Sequence, residues 1–293
     1  MRKLALAGLA LLVVAVAAAC GSTAKKTASA PKSGCKTDQL DLVKPGRLTV
    51  GTDNPAYPPW FGGGTPKGSV WKINDPSTGQ GYESAVAYAI GQKLGFNRSM
   101  VKWVVVPFEQ VFKPGKKSFD FDVNQVSVTP QRAQSVGFSN SYYDVNQALV
   151  GIKGTPITKV KTRADLKGYK LGAQLGTTSY DYVVKNIKPS QKPSVYSTSN
   201  DVNSGLKAKQ IDGIVVDAPT AFIITGSGEV PNSVVVGQFP SIGGKEHFGA
   251  VSEKGSALIP CVNKALASLK ADGTLARLEH EWLSAKANAP VLK

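Results

Sequence analysis

Residues 119–150 read Phe-Asp-Phe-Asp-Val-Asn-Gln-Val-Ser-Val-Thr-Pro-Gln-Arg-Ala-Gln-Ser-Val-Gly-Phe-Ser-Asn-Ser-Tyr-Tyr-Asp-Val-Asn-Gln-Ala-Leu-Val. The segment 121–128 predicts a short strand, ending in a polar turn that carries Ser127, Thr129 and Arg132. A second extended run is predicted over 142–152. A strand that brings hydroxyls and one guanidinium to its C-terminal edge is placed to hold a small anion, because Arg offers a planar fork of donors matching a carboxylate. Taken alone, an Arg in a turn is more often a solvated surface residue, so the rest of the chain has to decide its role.

The chain echoes this stretch. Gly46-Arg-Leu-Thr-Val-Gly-Thr and Tyr169-Lys-Leu-Gly-Ala-Gln-Leu-Gly-Thr each end a predicted strand. Later in each half an apolar-Asp pair opens another. Phe121-Asp-Val-Asn-Gln-Val-Ser127 stands beside Ile211-Asp-Gly-Ile-Val-Val-Asp217, which matches Ser127 with Asp217; starting from Phe119-Asp120 instead matches Gln125 with Asp217, and both registers stay open. Two similar α/β lobes would present their strand ends to a shared crevice, where open α/β sheets bind ligands.

Working outward, apolar periodicity predicts a helix over 83–94, with Val86, Ile90 and Leu94 on one face, and strands over 101–106, 211–216, 233–237 and 248–252. Helices are predicted over 178–187 and around Val202 and Leu206. Thr162 is placed to cap a helical turn over 163–167, and two helices close the chain, the second capped by Thr274 after Gly273. Strands alternating with helices predict an α/β architecture with mainly parallel sheets. Residues 54–61, with three Pro, are neither helix nor inner strand, and they carry Tyr57 and Trp60 on a rigid loop. The Gly/Pro-rich run to Gly81 predicts a small hairpin or flap.

A cation and an anion facing across a crevice suit a zwitterion. Arg132 would fork a carboxylate, helped by Ser127 and by N–H groups at Thr177 and Thr178 as a helix begins. Asp217 would accept from an ammonium, or cap the helix that follows it, or both. Tyr57, Trp60 and Phe108 would enclose the remainder of the molecule, against the simpler reading of core packing, which is strongest for Phe108. Asp53 would read a basic side chain or cap a turn.

Composition sets the compartment. The chain has 293 residues and a net charge of +15, with 42% hydrophobic and 19% charged residues. Arg2 and Lys3 followed by an apolar run to Ala19 predict a secretory signal peptide, residues 1–19. Ala17-Ala-Ala-Cys20-Gly21 resembles a lipobox, so Cys20 is the expected site of lipidation. Residues 20–35 hold no large apolar residue and predict a flexible tether. Without Arg2 and Lys3, 33 basic residues face 20 acidic ones, a charge of +13. The Lys residues are scattered without aromatic interleaving, which argues against nucleic acid as a partner. With Cys20 lipidated, Cys35 and Cys261 remain as a pair, and the oxidising exterior favours a bridge over two buried thiols.

As an ordered set, the motifs 46–60, Ser127-Val-Thr-Pro-Gln-Arg132, Phe138-Ser-Asn-Ser-Tyr-Tyr143, Asp165-Leu-Lys-Gly168, Leu175-Gly-Thr-Thr178, 211–217 and Ala271-Asp-Gly-Thr-Leu275 resemble family 3 of the bacterial solute-binding proteins. That is the polar amino acid type serving ABC importers, and the resemblance runs over residues 44–284. It implies a two-lobed periplasmic-binding-protein-like fold (type II) that closes as a Venus flytrap on a two-strand hinge. Lobe 1 would hold residues 36–142 and 245–293, lobe 2 residues 150–237, and the hinge 143–149 and 238–244. By matching position, Arg132 would take a carboxylate, Asp217 an ammonium, Tyr57 and Phe108 a stacking role, and Ser127 and Thr178 further hydrogen bonds. Two departures bear on specificity: Gln125 stands where a small residue is usual, and the loop 62–81 is longer than in many relatives. The expected protein is a monomeric, lipid-anchored receptor on the outer face of the cytoplasmic membrane that passes a free amino acid to an ABC permease, with no cofactor, no metal and no enzymatic activity. The alternatives are a sensor for a membrane receptor and a cyclohexadienyl dehydratase-like enzyme on the same fold, with Glu109 or Asp217 as its acid.

Overall fold

The structure is a computed structural model and describes residues 34–242, 244–283 and 290–292. The expected signal peptide, Cys20 and the tether up to residue 33 lie outside the described residues. The described residues form ten strands and seven α-helices. The first lobe opens with β1 (Leu48–Thr52), α1 (Tyr82–Lys93), β2 (Val101–Val105), α2 (Phe108–Val111), β3 (Phe121–Asp122) and β4 (Val136–Val145). The second holds β5 (Gln147–Ile152), β6 (Leu171–Gln174), α3 (Thr178–Tyr182), β7 (Ser194–Tyr196), α4 (Ser199–Lys207), β8 (Gly213–Asp217), α5 (Ala218–Gly226) and β9 (Ser233–Gln238). The chain then returns to the first lobe with β10 (Glu246–Glu253), α6 (Ile259–Ala271) and α7 (Thr274–Leu283).

Each lobe is built on a five-stranded sheet, ordered β2-β1-β3-β10-β4 in the first and β7-β6-β8-β5-β9 in the second. The sheets are mixed rather than mainly parallel. Strands β1, β2 and β3, and likewise β6, β7 and β8, run parallel, while β10 and β5 run antiparallel to their neighbours. The cause is the crossing itself. Strand β4 enters β5 after Asn146 alone, and β9 returns to β10 without an intervening helix, so each sheet receives a strand that no βα crossover has turned around.

Each lobe also has its own core. In the first, Val86, Ala87 and Ile90 of α1 and Val262, Leu266 and Leu269 of α6 pack on Leu48 and Val50 of β1. Gly81 starts α1 with φ +90°, and a Cβ there would stand 2.4 Å from Phe61 Cα; only glycine lets the aromatic loop lie this close to the helix. Cys35 and Cys261 are bridged, with Cα atoms 5.3 Å apart, tying the start of the described chain to α6 within this lobe. In the second lobe, Leu149, Leu171, Val183 and Val215 form one apolar cluster and Val202, Leu206, Ile214 and Ile224 another. Leu292 joins the first of these, and Leu292 N–H donates to Gln238 O at 2.8 Å. The last described residues therefore pack on the second lobe, whereas the sequence placed everything after 245 on the first.

Two local expectations change. The predicted strand 121–128 shortens to Phe121–Asp122, because Gln125 adopts φ 48° and bends the chain out of the sheet. The run 62–81 forms neither hairpin nor flap. It holds one 3-10 turn (Pro76–Thr78) and is knitted to the aromatic loop by Asn74 Nδ2 to Ala56 O and Asn54 Nδ2 to Val70 O, both 2.9 Å.

Candidate functional site

A cavity of ≈ 120 Å³ lies between the lobes. It brings together Asp53, Tyr57, Trp60, Phe108, Gln125 and Arg132 from the first lobe with Thr177, Thr178 and Asp217 from the second. Ser127 does not line it. That hydroxyl is buried and donates to Glu246 Oε1 at 2.6 Å, with Thr178 Oγ1 3.3 Å away.

Arg132 begins a 3-10 turn (Arg132–Gln134) whose first N–H is held by Thr129 Oγ1 at 3.2 Å. Its guanidinium lies over the Phe112 ring at 4.3 Å and the Phe108 ring at 5.6 Å. Two of its donors reach carbonyls of opposite lobes, Ser127 O at 2.7 Å and Gly176 O at 2.9 Å. Burial lowers its pKa to about 10, opposed by the charges of Glu246, Asp217 and Asp181, so the group stays cationic at neutral pH. A rigidly held guanidinium with donors to spare fits a carboxylate.

Asp217 occupies the N-cap position of α5, yet its side chain makes no capping bond. Its Oδ1 accepts from Gln147 Nε2 at 2.8 Å. Gln147 is a polar side chain in an otherwise apolar strand, and its Oε1 accepts from Ser179 Oγ at 2.6 Å. Burial, then the nearby Glu246 charge, push Asp217 up to about 8, and the Gln147 bond and Arg132 pull the other way. A half-buried acid beside a second carboxylate gains from a cation.

The aromatic candidates divide. Tyr57 lines the cavity from a loop and Phe108 from the first residue of α2. Trp60 is fully buried and meets Tyr82, Tyr143 and Phe248 edge-on, with centroids 5.6–6.0 Å away. Its Nε1–H donates to Thr220 Oγ1 of α5 at 2.9 Å, so this ring ties one lobe to the other as well as walling the cavity. Gln125 lines the cavity with its side-chain amide tied back to α1. Its backbone N–H donates to Glu83 Oε1 at 2.6 Å, and its side-chain amide donates to Glu83 Oε2. Glu83 is fully buried on α1 and also accepts from the Tyr142 hydroxyl, so it clasps the cavity loop to the start of the lobe crossing. Burial raises Glu83 to about 7 against those three bonds.

At the Tyr57 side of the cavity stand two more acids. Asp53 is raised by burial, with its Oδ1 accepting from Asn54 N–H at 2.7 Å. Glu229 of the second lobe accepts from Asn203 Nδ2 at 2.8 Å. Burial, then the charges of Glu229 and Asp53, push the Tyr57 hydroxyl up, which places both acids near it. The cavity thus carries three carboxylates, Asp53, Asp217 and Glu229, and one cation, Arg132. Among the described residues no group of three or more His, Cys, Asp and Glu is arranged to hold a metal ion.

Sequence reasoning missed Glu83, Gln147, Thr220, Glu229 and Glu246. A signal existed for Glu83, which shares the core-facing side of α1 with Ala87 and Ile90, and for Gln147, which opens the apolar run Ala148–Val150.

The sequence model of the bacterial extracellular solute-binding proteins, family 3, matches residues 48–285. The L-arginine-binding protein of Pseudomonas aeruginosa is 27% identical over 251 residues, 82% of this chain and 88% of that protein. The L-cystine-binding protein of Escherichia coli K12 is 29% identical over 261 residues, 87% and 89% of the two chains. Among solved structures, an ancestral arginine-binding protein bound to arginine superposes with a TM-score of 0.65 at 29% identity, covering 81% of this chain and 98% of that one.

Proposed function

The chain belongs to the bacterial extracellular solute-binding proteins, family 3, and on that premise we propose that it captures a free amino acid with a cationic side chain between its lobes and delivers it to an ABC importer. The observation that carries the ligand class is the charge of the cavity. Arg132 answers the ligand's carboxylate and Asp217 its ammonium, which leaves Asp53 and Glu229 beside Tyr57 as two acids for a third, positive group. An acidic side chain would add like charge beside them, and an apolar one would leave both half-buried carboxylates without a cation inside the cavity at that end.

The reading is of binding rather than catalysis. Glu109, the other candidate acid, is exposed and outside the cavity, and no His or Cys is among the cavity-lining residues. Export of the chain follows from the family, and lipidation at Cys20 would keep it at the membrane; Cys20→Ser should move the protein from the membrane to the soluble fraction.

Thermal denaturation against the standard amino acids tests the proposal. A cognate ligand at about 100 times its Kd stabilises by about 2.7 kcal/mol, and L-arginine, L-lysine or L-histidine should supply that shift. No shift with any amino acid would remove the receptor reading. A shift confined to acidic or apolar amino acids would remove the cationic class alone.

A further inference from the structure

The ammonium end of the cavity holds more acid than one ammonium needs. Glu246 opens β10, where the chain re-enters the first lobe, and its two oxygens face different lobes. Oε1 takes the Ser127 hydroxyl at 2.6 Å, and Oε2 takes Gln147 Nε2 at 3.0 Å. The same amide nitrogen donates to Asp217 Oδ1 at 2.8 Å. An amide NH₂ has two hydrogens, and here one goes to each carboxylate. Carboxylate oxygens accept, so the two acids take the nitrogen end of the amide, and its Oε1 is left to accept from the Ser179 hydroxyl. Glu246 does not line the cavity; it sits one amide behind the acid that does.

We propose that Glu246 is the second carboxylate of the ammonium site, a positioning residue that acts through Gln147 on Asp217 and makes ligand binding release a proton. The inference rests on the amino acid reading above. Two carboxylates held on one amide repel each other, and a proton kept by Asp217 relieves that repulsion. An arriving ammonium brings the same positive charge to Asp217 and takes the proton's place, so the proton leaves to solvent. The other groups facing the pair are Arg132 from the turn after Ser127, Glu83 from α1 and Tyr143 from β4. Arg132 favours the charged pair, Glu83 opposes it, and Tyr143 stays neutral because burial pushes its hydroxyl up. Along β10 itself, Lys245 stands 3.9 Å from Asp144, and His247 Nδ1 lies 3.3 Å from Lys245 O, so both turn to other partners. Burial and then the Glu246 charge raise the pKa of Asp217, in agreement with this geometry.

The test is calorimetric titration of the protein with L-arginine in phosphate and in Tris, from about pH 6 to about pH 9. Proton release appears as a buffer-dependent heat, and affinity should rise by up to about tenfold per pH unit until Asp217 is ionised. Glu246→Gln keeps an acceptor for the Ser127 hydroxyl and removes the like charge. Its proton release should fall and its pH profile flatten, so that it loses less affinity than wild type on acidification. A merely structural role for Glu246 would shift affinity equally at every pH. Parallel profiles, or a wild-type protein that releases no proton, would overturn the proposal. Absence of L-arginine binding at every pH would instead count against the cationic ligand. In that case ¹³C titration of the Asp217 carboxyl in ligand-free protein decides, with a fall of about one pH unit or more expected in Glu246→Gln and no change overturning the inference.

Discussion

Thr220→Val isolates lobe closure from folding. Thr220 is the third residue of α5, and its hydroxyl receives the Trp60 indole N–H at 2.9 Å across the two lobes. Trp60 is fully buried when the lobes meet, so the indole has no route to water in that state. Valine has threonine's shape without the hydroxyl. With valine in place, closure strands a donor that an open cleft would leave to solvent. A buried donor left without a partner costs about 1–3 kcal/mol, and the cost falls on the closed, ligand-holding form. Affinity should therefore drop by about 5- to 150-fold, while the unfolding midpoint of the ligand-free protein moves little. Thr220→Ser, which restores an acceptor, should recover most of the loss. Calorimetry on the three proteins decides the matter. Affinity for Thr220→Val within about twofold of wild type would refute the idea that this bond holds the lobes together.

Three further outcomes follow from the same geometry. Arg132→Ala should weaken binding by at least about 2 kcal/mol, since it deprives the carboxylate of a half-buried, preorganised partner, while Lys116→Ala, remote from the cavity, should not; equal effects would misplace the pocket. Replacing Cys35 and Cys261 by Ser should lower the stability of the ligand-free protein by about 2–5 kcal/mol and leave ligand affinity nearly unchanged, because the bridge lies within one lobe. Glu83 has a folded pKa of about 7 against an ordinary 4.5, so its contribution to stability is full below about pH 4.5 and is lost as pH rises through about 7. Glu83→Gln should thus gain about 3 kcal/mol on wild type between those limits, read from urea unfolding, and a pH-independent difference would show that Glu83 does not titrate there.

Much of this arrangement could be read along the chain because its determinants are local. Three prolines in eight residues force the loop that carries Tyr57 and Trp60, and the repeat of an apolar-Asp strand in each half places Arg132 and Asp217 on lobe edges that meet. What escaped the sequence depends on contacts between distant segments. The tethering of the Gln125 amide at the cavity wall follows from a fully buried Glu83 forty-two residues earlier, which takes a backbone and a side-chain donor of Gln125. Ser127 reads as a ligand hydroxyl until Glu246, 119 residues later, is seen to hold it. Glu246 and Gln147 both sit where the chain passes between lobes, in extended runs whose hydrophobic pattern signals strand and says nothing about which polar side chains will converge.

The central claim is that the cavity reads a free α-amino acid by both of its charges. Comparing L-arginine with its methyl ester, which lacks the carboxylate charge, and with Nα-acetyl-L-arginine, which lacks the ammonium, tests that claim in one calorimetric series. The account predicts measurable binding for L-arginine and a loss of about 2 kcal/mol or more for each derivative. Derivatives that bind as tightly as the parent would contradict it.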